Sequence, residues 1–250
     1  MSNSKLISCT ILSPNCNKPR NHAIDTITIH HMACNLTVEQ CGNGFANPAR
    51  QASSNYGIGT DGRIGLYVDE ANRSWCSSSP ENDHRAITIE VANDKPSDAG
   101  GWHVSDKALA SLITLCVDIC KRNGKTKMVW CGSLKATEAR KFAADEMRMT
   151  IHKWFAATSC PGPYLEGKMA YIAAEVTKRL SPAPATNFRV KATHGCYTYD
   201  SSKSGNPGVN GPYKTGSQWT IERKISYAGT TWGKVKGADK WVRMDDVVKV

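Results

Sequence analysis

The sequence predicts an α/β protein: a mixed central β-sheet flanked by helices, followed by a small all-β barrel. Three observations lead to this fold class. Strand-like and helix-like hydrophobic patterns alternate over the first 180 residues, as in an α/β sandwich. Two prolines among small residues then follow (SPAPAT), and beyond them no helical periodicity remains. We therefore expect one domain over 1–180, a stiff linker over 181–186 and a second domain over 187–250.

Strands are predicted in the first domain where apolar and polar residues alternate. The segments AIDTITIHH and RAITIEV have this period-2 pattern, and a hairpin is expected where Asp61-Gly62 supplies the turn between two apolar runs. The predicted extended segments are 23–31, 54–69 as the hairpin, 85–91, 127–131 and 149–152, with a loop over 154–161.

Helices are predicted where apolar residues recur with a period near 3.6 residues. The clearest runs over 105–123, where Ser105 is the expected N-cap and Gly124 ends the helix. Two more are expected over 136–147 and 164–180. After residue 187 the chain is rich in Thr, Tyr, Val, Trp, Gly and Lys and carries several turn signals, which favours a small all-β barrel.

Composition and charge limit the class of protein. Hydrophobic residues make up 40% and charged residues 22% of the 250, as in an ordinary globular protein. The net charge is +10, and residues 187–250 hold eleven Lys and Arg against five Asp and Glu. Such a surface favours a polyanion, which includes nucleic acid, a membrane surface and the anionic polymers of a bacterial wall, although it also fits a merely soluble basic protein.

The N-terminus and the cysteines indicate the cellular compartment of the protein. MSNSKLISCTILSPNCNK has no apolar run of signal-peptide length, and nothing later approaches a membrane helix, so we expect a cytoplasmic protein without membrane insertion. Ten cysteines are present but none forms a CxxC pair, which excludes a structural zinc finger. We expect reduced thiols, with one of them as a metal ligand.

Four residues occupy positions from which they could bind a zinc ion. His30 and His31 end an apolar strand, His152 ends another extended segment, and Cys160 follows His152 in HKWFAATSCPGP. A catalytic zinc takes three protein ligands and keeps one position for water, which one early histidine and a local His–Cys pair would satisfy. Structural histidines beside a buried thiol remain the alternative interpretation.

Four stretches together resemble a known family. ITIHHMA, SNYGIGTDGRI, RAITIEVAND and TIHKWFAATSCPGPYL occur in order over about residues 20–180 and are similar to the N-acetylmuramoyl-L-alanine amidases, the fold of phage amidase lysins and peptidoglycan recognition proteins. The resemblance implies one Zn²⁺ held by His30, His152 and Cys160. His31 would then point to the other side of its strand, and His31 as the ligand in place of His30 is the less favoured alternative.

The resemblance also implies catalytic residues. Glu90, in ITIEVAND, stands where related amidases carry a catalytic Glu, and its apolar neighbours would raise its pKa toward that of a general base. A structural ion pair is the alternative for Glu90. The helper Tyr of some members falls on Ser54, with Tyr56 at an apolar position, and the helper Lys falls on Thr158. We therefore predict Glu90 and Thr158 as the catalytic side chains, Thr158 at most binding the oxyanion or a water.

The segments NFRVKA, GSQWTIERK, TTWGKV and KWVRMDDVVKV of the second domain resemble a bacterial SH3-like domain. About half of its aromatic side chains are expected in the barrel core. The candidates for wall binding are Tyr197, Tyr199, Tyr213, Trp219 and Trp232.

The resulting hypothesis is a hydrolase, either a phage endolysin or an autolysin, which cleaves the amide between N-acetylmuramic acid and L-alanine. Its partner would be bacterial peptidoglycan rather than nucleic acid, its state monomeric or weakly oligomeric, and it would reach the wall through a membrane pore. Two other classes stand beside it. A recognition protein that keeps the fold without zinc would lack the four-residue constellation, and a nucleic-acid binder is suggested by charge alone.

Overall fold

The computed structural model describes residues 2–181, 188–193, 196–200, 208–227, 229–238 and 240–250. The chain divides into two compact units, Met1–Ser181 and Pro182–Val250. Beyond Ser181, the predicted linker lies outside the described residues.

The first unit contains nine strands and five helices in its described residues. The strands are β1 (Cys9–Thr10), β2 (Cys16–Asn17), β3 (Thr26–His31), β4 (Tyr56–Ile58), β5 (Ile64–Leu66), β6 (Arg73–Ser74), β7 (Ala86–Val91), β8 (Lys127–Val129) and β9 (Glu146–Ile151). The helices are α1 (Val38–Ala46), α2 (Pro80–Arg85), α3 (Asp106–Arg122), α4 (Leu134–Ala139) and α5 (Gly162–Leu180), with short 3₁₀ turns at Pro48–Arg50 and His152–Trp154.

Seven of these strands form the central sheet, in the order β1-β5-β4-β7-β3-β9-β8. All neighbouring pairs are parallel except the hairpin pair β4 and β5. The sheet is therefore mixed, and helices flank it, which confirms the predicted fold class of this unit. The hairpin turn lies at the predicted place, where Gly62 has a φ of +85°.

One face of the sheet makes the main hydrophobic core, against α3 and α5. Ile27 and Ile29 of β3 and Ile87 and Ile89 of β7 are fully buried there. The helices contribute apolar residues at helical spacing, namely Leu112, Leu115, Ile119, Leu165, Met169, Ile172 and Val176. Because strand side chains alternate, the residues between these isoleucines lie on the opposite face.

The prediction of α3 is confirmed at both ends. Ser105 is the N-cap, and its Oγ accepts a hydrogen bond from the Ala108 N–H at 3.1 Å. The helix ends at Arg122, after which Gly124 takes a φ of +66°, the conformation that glycine adopts most readily.

The prediction of a helix over 136–147 is wrong over most of its length. Helix α4 ends at Ala139, and Glu146 and Met147 already belong to β9. The Glu146 carboxylate accepts hydrogen bonds from Arg140 at 2.7 Å and from the Ala143 N–H at 3.1 Å, which stabilises the irregular segment between the two elements. The alternation of Met147, Met149 and Ile151 belongs to a strand that is buried between β3 and β8.

The second unit is all-β in its described residues apart from one 3₁₀ turn (Met244–Asp246), as predicted. Its strands are β10 (Phe188–Ala192), β11 (Cys196–Asp200), β12 (Gly208–Tyr213), β13 (Gln218–Tyr227), β14 (Thr230–Val235), β15 (Lys240–Arg243) and β16 (Val247–Lys249), in the order β12-β11-β15-β14-β13-β10-β16. A small core contains Val190, Ile221, Val242 and Val247. Within the described part of the whole chain, no helix has the length and hydrophobicity of a membrane span.

Candidate metal centre and active site

The site begins with three strands that carry almost the same four residues. Strand β3 reads Ile-Thr-Ile-His, β7 reads Ile-Thr-Ile-Glu, and β9 with its next residue reads Met-Thr-Ile-His. The strands are parallel and in register, with Thr28 level with both Thr88 and Thr150. The residue two positions further therefore lies on the same face in each strand. This register brings His30, Glu90 and His152 side by side at the carboxyl end of the sheet.

The three predicted zinc ligands lie together. One ligand atom from each of His30, His152 and Cys160 lies within 4.8 Å of the other two. The Cys160 Sγ is 3.6 Å from the His30 Nδ1, and the centroids of the two imidazole rings are 4.9 Å apart. His30 is fully buried, Cys160 is buried and His152 is half-buried.

This donor set fits zinc. Two imidazoles and one thiol are the borderline-soft ligands that Zn²⁺ takes, and three protein ligands leave a fourth position for water or substrate. The half-buried His152, one of the candidate ligands, lines an open cleft of about 310 Å³ together with Trp75, Cys76 and Ser78. A water and a substrate therefore have a path to the fourth position.

Burial sets the protonation states of the ligands. It lowers the pKa of His30 well below the ordinary value, and the neighbouring His152 and His31 lower it further. Burial also lowers the pKa of His152. Both imidazoles are then neutral near pH 7, as metal binding requires. Burial, with the negative charge of Glu90, raises the pKa of the Cys160 thiol, so a bound cation has to displace its proton.

A short loop holds Cys160 in place. The Thr158 Oγ1 accepts a hydrogen bond from the Cys160 N–H at 3.2 Å, and the Cys160 carbonyl accepts one from the Lys153 N–H at 2.9 Å. Thr158 itself is exposed. The structure therefore gives the Thr158 oxygen a positioning contact with the backbone of Cys160, and its role toward an oxyanion stays a prediction.

Glu90 lies beside His30, its register partner on the adjacent strand. Burial raises the pKa of Glu90 to about 8, although Arg50 and a hydrogen bond from Cys76 act in the opposite direction. Its Oε2 is buried and has no hydrogen-bond partner among the described residues, and its Oε1 lies 3.9 Å from the Cys76 Sγ. No ion pair in the described part of the chain involves Glu90, which speaks against the structural alternative.

His31 lies on the other face, as strand alternation predicts. Its ring packs edge-on against Trp102, with 5.4 Å between centroids, and it contacts Gly162. Gly162 has a φ of +81°, and a Cβ there would lie 2.9 Å from the His31 Nδ1. Only glycine fits this position at the start of α5, next to the cysteine loop.

The two positions that replace the family's tyrosine are both structural. Ser54 is buried, and its hydroxyl donates to the Tyr56 carbonyl at 2.8 Å. Tyr56 is fully buried in the core, and its hydroxyl donates to the Glu70 carboxylate at 2.6 Å. Both findings agree with the prediction that Tyr56 packs rather than reacts.

Sequence reasoning missed the segment that covers the site. Asp83 of α2 is 1% exposed and accepts hydrogen bonds from the N–H groups of Cys76 (3.0 Å) and Ser77 (3.2 Å) and from the Ser77 hydroxyl (2.6 Å). It thereby holds Cys76 beside Glu90 and Ser78 3.5 Å from the His152 Nε2. Helix α2 is too short to show a period. Ser79-Pro80, an N-cap followed by proline, was its available signal.

The predicted wall-binding side chains are only partly described. Tyr213 and Trp219 form an edge-to-face pair with centroids 5.3 Å apart, and Trp219 also packs against the small core. Trp232 is half-buried. The side chains of Tyr197 and Tyr199 lie outside the described residues. The remaining described tryptophan of this unit, Trp241 of β15, is 7% exposed.

Several solved structures are similar to this chain. PlyL shares 15% identity with it, covering 68% of this chain and 96% of its own, with a TM-score of 0.49. The endolysine N-acetylmuramoyl-L-alanine amidase LysCS from Clostridium intestinale URNW shares 20%, covering 68% and 98%, with a TM-score of 0.43. The Ph2119 endolysin from the Thermus scotoductus MAT2119 bacteriophage Ph2119 shares 16%, covering 63% and 89%, with a TM-score of 0.38.

No curated protein matches the chain. The family model described as N-acetylmuramoyl-L-alanine amidase matches residues 20–163, which is more than half of the sequence. This range includes the histidines, the glutamate and the cysteine of the site. The protein therefore belongs to the N-acetylmuramoyl-L-alanine amidase family.

Proposed function

We propose that the protein is a zinc-dependent hydrolase that cleaves the amide between the lactyl group of N-acetylmuramic acid and L-alanine in peptidoglycan. The observation that supports this most is the convergence of His30, His152 and Cys160 within 4.8 Å, beside Glu90 on the adjacent strand. A family member that only binds its ligand would have no need of this combination of metal donors and a carboxylate with a buried, unpaired Oε2.

His30, His152 and Cys160 would hold the ion. When bound, zinc supplies a water of lowered pKa and polarises the carbonyl of the scissile amide. His30 gains its rigidity from complete burial, and Cys160 from the backbone contacts of its loop. The cleft beside His152 admits the substrate.

Glu90 performs the proton transfers in this mechanism. The positive charge of a bound zinc would favour the ionised form of Glu90, and this carboxylate would accept a proton from the attacking water and return it to the leaving amine of L-alanine. The buried Oε2, which has no partner among the described residues, is available for this task. The Ser54 hydroxyl donates to a backbone carbonyl, and the Thr158 oxygen accepts from a backbone N–H. More of the proton transfer therefore depends on the Glu90 carboxylate than in relatives with Tyr and Lys helpers.

The catalytic activity is tested on purified bacterial cell walls by the release of new N-terminal L-alanine. We expect release by the wild type, loss of release on chelation and recovery on adding Zn²⁺. Glu90→Gln should lower turnover by about 10²–10⁴-fold while one zinc per chain remains bound. Glu138→Gln, at an exposed glutamate, is the matched control. Release that is insensitive to chelator contradicts the zinc mechanism, and loss of zinc from Glu90→Gln contradicts the role of Glu90.

We further propose that the second unit is an SH3-like domain that binds the wall, in an endolysin or autolysin that works as a monomer or weak oligomer. Its excess of Lys and Arg suits an anionic wall polymer, and attachment would raise the local concentration of substrate. The inactive Glu90→Gln chain should sediment with cell walls, and Tyr213→Ala should weaken this binding. Tyr171→Ala, at an exposed tyrosine of the first unit, is the control. Equal sedimentation of both variants removes Tyr213 from the binding surface.

A further inference from the structure

A second set of metal donors lies next to the first. One ligand atom each from His30, Cys76 and Glu90 lies within 4.8 Å of the other two. His30 belongs to both sets, but the five donor residues do not form a single group at that separation. Ligands around a tetrahedral zinc lie about 3.5 Å from one another, so the 3.9 Å between the Cys76 Sγ and the Glu90 Oε1 needs only a small adjustment.

Two polar atoms of this second set are buried and have no hydrogen-bond partner among the described residues. His30 is fully buried, and its Nε2 has no hydrogen-bond partner among the described residues. The same holds for the buried Glu90 Oε2. Unsatisfied buried polar atoms of this kind are unusual in native proteins and point to a ligand. Two such atoms, on residues whose donors lie within 4.8 Å of each other and of the Cys76 thiol, have the chemistry of a cation site.

The fold also holds the thiol in place and gives an ion access to it. Asp83 accepts a hydrogen bond from the Cys76 N–H at 3.0 Å, which positions the Cys76 backbone. Cys76 lines the same 310 Å³ cleft as His152 and is partly exposed. A thiol, an imidazole and a carboxylate select a borderline-soft ion such as Zn²⁺ or Cd²⁺ rather than Mg²⁺ or Ca²⁺.

We propose that His30, Cys76 and Glu90 form a second, alternative position for a zinc-class ion at the amidase centre. Both positions use His30. An ion bound in the second position is therefore no longer bound by His152 and Cys160. The Cys76 thiol releases its proton to solvent as the metal–sulfur bond forms. An ion in this position also ligates Glu90, which removes the carboxylate from proton transfer. The second position is therefore an inactive state of the same centre.

The test removes the first position from the full-length chain and probes the second with Cd²⁺. The double variant His152→Ala/Cys160→Ser retains His30, Cys76 and Glu90. We expect it to bind one Cd²⁺ per chain, measured by equilibrium dialysis, with an ultraviolet charge-transfer band of one thiolate. Adding Cys76→Ser should abolish both signals. Adding Cys34→Ser instead, at an exposed cysteine, should change neither.

The single variant Cys160→Ser repeats the test with a milder change if circular dichroism shows that the double variant is unfolded. A thiolate band that survives Cys76→Ser, or the absence of any band while the variant is folded, overturns the proposal. Because cadmium binding needs no substrate, this result is independent of the amidase activity. Wall cleavage without a second cadmium position contradicts this inference alone, and a second position without wall cleavage contradicts only the proposed function.

Discussion

The two faces of the central sheet differ in polarity, although the same three strands, β3, β7 and β9, contribute to both. On one face, the isoleucines of β3 and β7 and the methionines of β9 are completely buried against α3 and α5. On the other face, Thr28, Thr88 and Thr150 form a buried polar layer. Consecutive residues of a strand belong to different faces. The side chains that stabilise the core therefore lie on one face, and those of the candidate site lie on the other.

The polar face itself changes along its length. In its middle, hydroxyls satisfy one another: Thr28 and Thr150 share a hydrogen bond of 2.8 Å, and Thr88 and Ser74 share one of 2.7 Å. At the carboxyl end, the His30 Nε2 and the Glu90 Oε2 have no partner among the described residues. The satisfied layer stabilises the strands, and the unsatisfied end is where a metal ion and a substrate would bind.

The largest expected effect comes from removing a proposed zinc ligand at this end. His152→Ala should lose zinc and lower turnover by at least about 10⁴-fold, or about 5 kcal/mol in transition-state stabilisation. In the presence of chelator, its free energy of unfolding should stay within about 1 kcal/mol of the wild type, because His152 is only half-buried. Metal analysis, cell-wall hydrolysis and denaturant unfolding measure the three quantities. A variant that keeps both zinc and activity excludes His152 as a ligand.

The opposite face should show the reverse pattern. Ile89→Ala, one residue before Glu90, should lower the free energy of unfolding by about 3 kcal/mol, because Ile89 is fully buried and alanine leaves a cavity. Folded Ile89→Ala should still bind one zinc per chain. Ile89→Val is the matched control, with an expected loss of about 1 kcal/mol. Loss of zinc from the folded alanine variant would show that the two faces are not separable.

Much of this arrangement was predictable from sequence because each part has a local signal. The alternating ITIHH and ITIEV segments predicted two central strands, and Ser105 and Gly124 predicted both ends of α3. His30 and His152 were singled out by their places at strand ends, Cys160 by its short spacing from His152, and all three by the family resemblance. A repeated pattern would have predicted more of the site. The same Thr-Ile pair precedes His30, Glu90 and His152, and in the structure these pairs are aligned on neighbouring strands.

Other parts were not predictable because they depend on tertiary contacts. Cys76 has no motif of its own, and only Asp83 and the short helix α2 bring it to the site. The segment 136–147 contains good helix formers, yet Met147 lies in a strand because β3 and β8 pair on either side of β9. The fully buried Tyr56 and its contact with Glu70 similarly depend on residues that are distant in sequence.

A smaller effect is expected in the middle of the polar face. Thr28→Val keeps the shape of the side chain but removes the hydroxyl that contacts Thr150 and accepts from the Asn82 amide at 2.9 Å. The variant should lose about 2 kcal/mol of unfolding free energy, because buried partners are left unsatisfied. Thr28→Ser, which retains the hydroxyl, is the control for the hydrogen bonds. A Thr28→Val protein as stable as the wild type would mean that the polar layer contributes nothing to stability.

The smallest expected effect concerns the exposed Thr158, whose oxygen accepts from the Cys160 N–H at 3.2 Å. Thr158→Ala removes one neutral hydrogen bond worth about 1 kcal/mol, so zinc affinity should fall by about 5-fold and turnover at saturating zinc by a few-fold at most. Thr158→Ser should restore both, because it keeps the acceptor. Zinc titration against a competing chelator measures the affinity, and cell-wall hydrolysis at saturating zinc measures turnover. A turnover loss of 100-fold or more, with zinc affinity unchanged, would instead show that Thr158 takes part in the reaction. The loop that follows β9 would then contribute a catalytic group in addition to those at the strand ends.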